Sequence, residues 1–249
     1  MFDRSALFPD AIVHGFTDRL GGVSTGKHES LNLGVRWGDE PAAVAENLRR
    51  VAAAAGFEPG ELRTIRQVHR KAVWRAATMP AGAEGDALWA RAGDGPLVVG
   101  VLTADCVPVL LADRSGTAVA AIHSGWRGTV QDIVGATVAA LAADGVDPAD
   151  LVAAIGPCIE AAGFEVGEEV AREFAPAFVR RDLGARPHVD LVAAVRAQLA
   201  RAGVPEKAID RVGGCTWADP GKYFSYRRDG AGIGQMLAFV GFGRFGRGG

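Results

Sequence analysis

Two apolar runs near the middle of the chain dominate the pattern of hydrophobic and polar positions. Residues 107–113 have the sequence VPVLLAD, residues 117–123 have the sequence TAVAAIH, and the polar turn DRSG joins them. Runs of four to eight apolar residues bounded by turn residues are typical of buried strands. Cys106 directly precedes the first run and His123 ends the second. The pattern therefore predicts that both side chains lie where strands meet loops.

The same pattern predicts further strands along the chain. Residues 62–76 alternate apolar and polar positions and predict a half-exposed strand that carries His69 near its middle. Residues 85–90, GDALWA, are predicted to form a turn that holds Asp86. Buried strands are predicted for PLVVGVLT (96–103) and LVAAIGPCI (151–159), and further strands for RVGGCT (211–216) and MLAFVGF (236–242). Residues 12–34 are predicted to begin with a short strand and to continue as a long polar loop.

Apolar positions spaced three and four residues apart predict the helices. One helix should begin near Pro41 and end at Gly56, and another should open at SGWRG (124–128) and continue through Leu141. Two more are expected over residues 165–178 and over residues 190–203, the latter capped by Asp190. Because helices and strands interleave, we expect an α/β or mixed α+β fold with helices packed on largely buried mixed β-sheets.

Composition narrows the possible organisation and partners of the chain. The 249 residues contain no repeat or linker, which favours one layered domain over 1–249 with its core at about 10–243. A net charge of −2 gives no excess of positive charge for nucleic acid. The charged first ten residues and the lack of a long apolar run predict a cytoplasmic protein that does not enter membranes.

Three residues are candidates for a metal site. A catalytic zinc ion needs about three protein ligands, and imidazole and thiolate both suit it. His69, Cys106 and His123 would supply that set, although their spacing forms no local metal motif and the fold would have to gather them. The alternative is a buried structural cysteine with two histidines satisfied by their neighbours. The residues alone leave both interpretations open.

Two other segments could bind a ligand. SGWRG offers backbone N–H groups at a helix start beside Arg127, which suits an anion, although a simple tight turn has the same sequence. Residues 226–229, YRRD, suit a planar anionic or aromatic ligand but also a solvated loop. The chain contains neither a phosphate-binding P-loop motif nor a dinucleotide-binding glycine motif.

Several motifs in a fixed order resemble one known family. The segments TADCVPVLLAD, AAIHSGWRGT and IRQVH, with FTDRLGGVSTG, SLNLG and WGDEP before them and IGPCI, FEVG, HVDL and FSYRRDG after them, closely resemble the YfiH-like laccase-domain family. This family is also described as multicopper polyphenol oxidases or purine nucleoside phosphorylases. The resemblance covers roughly residues 10 to 240.

The resemblance implies a single αββα domain whose zinc ligands are His69, Cys106 and His123, which are also the catalytic residues. It further implies phosphorolysis of adenosine, inosine and methylthioadenosine, together with deamination of adenosine. The expected partners are a small-molecule nucleoside and phosphate, and the protein is expected to be a monomer or a homodimer. The substrate-binding residues are expected to be Arg66, Ser124 and Arg127. The chain departs from the family pattern at Arg70, where a small residue is usual, and at Gln235, where arginine is common.

Two other activities compete with this assignment. A multicopper oxidase needs many imidazoles, and only His14, His28 and His188 remain outside the triad, although a single copper could substitute for zinc. Cys106 could instead be a nucleophile with His123 as its base, in an amidase or deamidase that acts on a peptide or cell-wall precursor. The family resemblance implies this alternative as well, through bacterial relatives linked to peptidoglycan quality control. A non-catalytic binding module is the remaining alternative.

Overall fold

The computed structural model describes residues 1–243. The helices are α1 (Pro41–Ala55), α2 (Trp126–Val130), α3 (Ile133–Ala143), α4 (Glu168–Ala171), α5 (Leu191–Arg201) and α6 (Tyr226–Asp229). The strands are β1 (Phe2–Asp3), β2 (Ile12–Thr17), β3 (Leu62–Arg63), β4 (Val73–Arg75), β5 (Ala87–Arg91), β6 (Val98–Thr103), β7 (Val107–Asp113), β8 (Ala118–Ser124), β9 (Leu151–Ile155), β10 (Val179–Arg180), β11 (His188–Val189), β12 (Ile209–Arg211) and β13 (Met236–Phe242).

Two mixed sheets lie at the centre of the described residues. One has the strand order β12-β9-β7-β8-β5-β4 and the other the order β1-β2-β13-β6-β3, while β10 and β11 form a separate small ribbon. Apolar side chains of both large sheets pack against each other, and the outer faces are covered by α3 and α5 on one side and by α1 on the other. The predicted fold class, mixed α/β with helices on buried mixed sheets, is confirmed.

Strand β7 shows why the apolar run is continuous. Val109 and Leu111 face the helix layer, whereas Leu110 and Ala112 face the second sheet. Because both faces of the strand are buried, residues 107–112 are all apolar, and the first polar residue, Asp113, comes at the end of the strand where the turn begins. β7 and β8 pair antiparallel with Pro108 opposite His123, so the beginning of one and the end of the other lie side by side.

The predicted strand over residues 62–76 is wrong. The chain forms β3 and β4 with a loop between them, and His69 lies in this loop with a left-handed φ of 58°. Ile65, Val68 and Val73 are too irregularly spaced for a strand of period two. The predicted turn over residues 85–90 is also wrong, because β5 begins directly after Asp86.

The helix predicted from SGWRG is interrupted. Asp132 takes a left-handed φ of 61° between α2 and α3, and its side chain accepts a hydrogen bond from the N–H of Gly135. Within residues 165–178 the structure has the four-residue helix α4 and a short 3-10 turn at Pro176–Phe178. The predicted long helix is wrong, because the hydrogen bonds after α4 tighten to the i→i+3 pattern, from Glu173 to Val170 and from Phe174 to Ala171. The strand predicted at 211–216 is shifted to β12.

Other predicted boundaries are confirmed. Helix α1 begins at Pro41 and is followed by Gly56 in a left-handed conformation, and the side chain of Asp190 caps α5 by accepting the N–H of Ala193. Across residues 1–243, no helix has the length and apolar character needed to cross a bilayer.

Candidate metal centre

The structure brings His69, Cys106 and His123 together. Their ligand atoms all lie within 4.8 Å of one another. The Sγ atom of Cys106 is 3.9 Å from Nε2 of His69, and the two imidazole rings meet edge to face with centroids 4.8 Å apart. Three separate segments contribute, namely the loop between β3 and β4, the residue before β7 and the end of β8.

Asp86 holds both histidines in place. Its Oδ1 atom accepts a hydrogen bond of 2.8 Å from Nδ1 of His123 and one of 2.9 Å from the backbone N–H of His69. Its Oδ2 atom accepts the N–H of Arg70 at 2.7 Å. Because Nδ1 of His123 is the donor, Nε2 is left to serve as a ligand atom. Asp86 lies in a predicted turn, and no pattern in the sequence assigns it a role in the site.

The electrostatics of the triad favour a thiolate. Burial opposes ionisation of Cys106, but the charge and hydrogen bond of His123 and the hydrogen bond of His69 lower the pKa of this thiol to about 6. Burial also opposes protonation of His123, but the charge of Cys106 and the hydrogen bond to Asp86 raise the pKa of this imidazole to about 9. Thiolate is the form of cysteine that binds metals and attacks electrophiles.

Gly125 allows the triad to close. A Cβ atom at this position would lie 2.9 Å from Cδ2 of His69 and 3.0 Å from Sγ of Cys106. Such distances are shorter than ordinary contacts, so any side chain here would displace the two ligands. The glycine of the SGWRG motif is therefore required by close approach at the site.

The donor set fits a tetrahedral metal ion. Zinc bonds of about 2.3 Å to sulfur and about 2.0 Å to nitrogen place those two atoms about 3.5 Å apart. The separation of 3.9 Å between Cys106 Sγ and His69 Nε2 needs only a small adjustment to match. Three protein ligands leave a position for substrate or water, and copper also accepts two imidazoles with a thiolate. Within residues 1–243, this is the one group of three or more such side chains with metal-ligand spacing.

Asp105 fixes the backbone next to Cys106. It has a left-handed φ of 95°, and its buried carboxylate accepts the hydroxyl of Thr216 and the backbone N–H of Arg227, each at 2.6 Å. Its carbonyl oxygen accepts the N–H of Ile159. Asp105 is not among the residues predicted for the site, although its place in the TADC motif beside a candidate ligand is a signal that could have identified it.

The three predicted substrate-binding residues lie in different surroundings. Arg127 borders a cleft of about 440 Å³ that His69 also lines, together with Val68, Arg70 and Gln131. Arg66 is exposed and pairs with Glu84. Ser124 is fully buried, and its hydroxyl is 2.9 Å from that of Thr129. Of the three, Arg127 is the one that borders the cleft; contact of any of them with substrate stays a prediction.

The chain is similar to known proteins over nearly its whole length. Residues 13–243 match the family model described as multi-copper polyphenol oxidoreductase laccase. The chain is 42% identical over 238 residues to a purine nucleoside phosphorylase of Deinococcus radiodurans, which covers 94% of this chain and 90% of that protein. It is 36% identical over 236 residues to the Escherichia coli purine nucleoside phosphorylase YfiH, covering 93% and 94% of the two chains.

Solved structures give the same result for the fold. The crystal structure of YlmD from Geobacillus stearothermophilus matches with a TM-score of 0.87 at 29% identity, covering 98% of this chain and 99% of that one. A protein of Neisseria meningitidis matches with a TM-score of 0.85 at 35% identity, covering 98% of both chains.

Proposed function

The chain belongs to the multi-copper polyphenol oxidoreductase laccase family, and from that premise we propose that it is a zinc-dependent purine nucleoside phosphorylase that also deaminates adenosine. Relatives named purine nucleoside phosphorylase support this kind of activity in the family. The observation that carries the proposal is the meeting of one thiolate and two imidazoles beside a cleft. We further propose that the chain is one domain and that zinc is held by His69, Cys106 and His123.

The two reactions have simple chemical requirements. In phosphorolysis a phosphate oxygen bonds to C1′ of the ribose, the glycosidic bond breaks, and the purine leaves after taking up a proton. In deamination water adds to C6 of adenine and ammonia leaves. When bound, zinc would supply Lewis-acid polarisation of an oxygen atom.

Residues of this chain would orient the metal ligands, supply negative charge to the ion and admit the substrate. Asp86 keeps a proton on Nδ1 of His123 and thereby aims Nε2 at the centre of the triad. The ionised Cys106 provides the negative charge that a divalent cation needs. The cleft beside His69 has the size of an ordinary small-molecule site, so it can admit part of a nucleoside.

One observation supports a second candidate function. The lowered pKa of Cys106 and the raised pKa of His123 describe a thiolate and an imidazolium in contact, as in cysteine-dependent amidases. In that case the thiolate would attack a carbonyl carbon and His123 would protonate the leaving amine. A copper oxidase has less support, because the triad offers three ligands and a multicopper chain needs further clusters.

Purified protein incubated with adenosine and phosphate distinguishes the candidates. We expect about one zinc per chain by elemental analysis, and chromatography should reveal adenine with ribose 1-phosphate, and inosine. Chelation should abolish both activities and added zinc should restore them. Activity that survives removal of metal but is lost on alkylation of Cys106 would instead support the amidase mechanism.

The variant Asp86→Asn tests the metal site itself. The carboxylate of Asp86 accepts hydrogen bonds from His123, His69 and Arg70, and an amide would turn an N–H group toward some of these donors. We therefore expect zinc affinity to fall about 10- to 100-fold. Asp113→Asn is the matched control, since Asp113 is also buried and accepts hydrogen bonds from Thr117 and Ala118 in the turn between β7 and β8. It should lower stability without changing zinc affinity. Equal zinc affinity in both variants would contradict the proposed role of Asp86.

A further inference from the structure

Two arginines with free guanidinium groups flank the cleft beside His69. Arg70 and Arg127 are both exposed, and among residues 1–243 neither side chain has a hydrogen-bond or ion-pair partner. Arg127 instead lies over the ring of Trp126, with its guanidinium carbon 4.1 Å from the ring centroid. Gln131 adds an exposed amide to the same lining.

The backbone beneath both arginines is fixed. The N–H of Arg70 donates to Asp86, and its carbonyl oxygen would lie 3.4 Å from a Cβ atom placed on Gly128. The loop that carries Arg70 therefore packs closely against α2, which carries Arg127. The two guanidinium groups therefore belong to segments that pack against each other. Asp86, which binds His123, also binds the segment that carries Arg70.

The acidic residues on the segments around the cleft already have partners. Asp86 accepts from His123, Glu84 pairs with Arg66, and Asp132 pairs with Arg201. The positive charges of Arg70 and Arg127 are therefore left uncompensated in a concave site. Elsewhere on the surface, arginines such as Arg180 and Arg181 pair with acidic side chains.

We propose that Arg70, Arg127 and Gln131 form an oxyanion subsite that binds a phosphate group next to His69. Guanidinium groups match the tetrahedral oxygens of phosphate with paired hydrogen bonds, and Gln131 adds a neutral donor. The identification of the anion as a reactant rests on the proposed function.

The phosphate group could come from two sources, inorganic phosphate or the 5′-phosphate of a nucleotide substrate. Both present the same dianion, and calorimetric titration of the purified zinc-loaded protein with each ligand separates them. The informative variants are Arg70→Gly and Arg127→Gln, each of which removes one guanidinium group from the cleft. Arg114→Gln is the control, since Arg114 is an exposed arginine whose side chain lacks such partners within residues 1–243 and lines a different cleft.

We expect Arg70→Gly and Arg127→Gln each to weaken binding of one of the two ligands about tenfold or more, because a charged hydrogen-bond partner of phosphate is lost. Arg114→Gln should leave the affinity unchanged. If inorganic phosphate is the ligand, the KM for phosphate should rise in the two variants while the KM for the nucleoside stays within about twofold, with turnover measured in parallel. Thermal unfolding at the wild-type temperature would confirm that all variants are folded.

The outcomes separate the subsite from the proposed function. Arginine-dependent binding of phosphate without turnover of any nucleoside would refute phosphorolysis and leave the subsite standing. Arginine-dependent binding of adenosine 5′-monophosphate alone would assign the subsite to a phosphorylated substrate. Wild-type protein that binds neither ligand, or variants that bind both as tightly as wild type, would overturn the proposal.

Discussion

Cys106 and Cys158 occupy equivalent places in the chain but very different environments. Each stands three residues beyond the last residue of a buried strand, β6 for Cys106 and β9 for Cys158. The segments even adjoin, because the N–H of Ile159 donates to the carbonyl oxygen of Asp105. Sequence position alone would assign the two cysteines the same role.

Their partners make the difference. Cys158 is fully buried, and burial raises the pKa of its thiol to about 12, although Arg211 lies 3.7 Å away from its sulfur. Cys106 is only partly buried and faces two imidazoles, which lower its pKa to about 6. A cysteine beyond a strand end becomes reactive only when other segments bring groups that stabilise its thiolate, as His69 and His123 do for Cys106.

The largest difference should be in thiol reactivity. In protein freed of metal by a chelator, iodoacetamide should modify Cys106 with a half-maximal rate near pH 6, because the thiolate is the nucleophile and its fraction rises with pH. Cys158 should react at least about 1000-fold more slowly at pH 7 while the protein is folded. Peptide mapping by mass spectrometry resolves the sites, and equal labelling of both would break the comparison.

Alanine substitutions should separate the two cysteines by metal binding. We expect Cys106→Ala to lose more than about 100-fold in zinc affinity and to lose both nucleoside activities, because a charged ligand is removed. Cys158→Ala should retain zinc and activity but lose about 1–2 kcal/mol of unfolding free energy through the cavity it leaves. Zinc analysis and urea unfolding measure these effects. A Cys106→Ala protein with full zinc content would refute the site.

The smallest expected effect concerns the residue that positions Cys106. Asp105→Ala should lower the unfolding free energy by about 1–3 kcal/mol, because Thr216 and the N–H of Arg227 lose their acceptor. It should also slow alkylation of Cys106 by displacing it from the imidazoles. Asp105→Asn should recover part of the unfolding free energy and part of the alkylation rate, since asparagine tolerates the left-handed conformation and keeps one acceptor oxygen. Unchanged alkylation in Asp105→Ala would limit this residue to a structural role.

Burial on both faces is what made the strands predictable. Residues 107–112 are apolar throughout because one face packs on helices and the other on a second sheet, and the local sequence records both contacts. The predicted metal triad was likewise gathered by the structure. Cys106 precedes β7 and His123 lies near the end of β8, and the antiparallel pairing of these two strands brings the residues together.

The errors arose where a single backbone conformation changes the path of the chain. Asp132 interrupts the predicted helix, yet the apolar spacing continues across it from Val130 to Ile133, so periodicity cannot detect the break. His69 lies in a loop for a related reason, since its left-handed φ is stabilised by the N–H contact to Asp86 seventeen residues away. Such tertiary anchors leave no trace in local patterns.

The shared anchor at Asp86 has a thermodynamic consequence. Because one carboxylate binds the side chain of His123 and the backbone of His69, the imidazole of His123 and the loop that carries His69 are held relative to each other. The entropy of gathering these ligands is lost when the chain folds, so capture of an ion requires no further closure of a loop. The protein should therefore act as a preformed chelator whose fold exists without its metal, in contrast to small zinc modules that fold only around the ion.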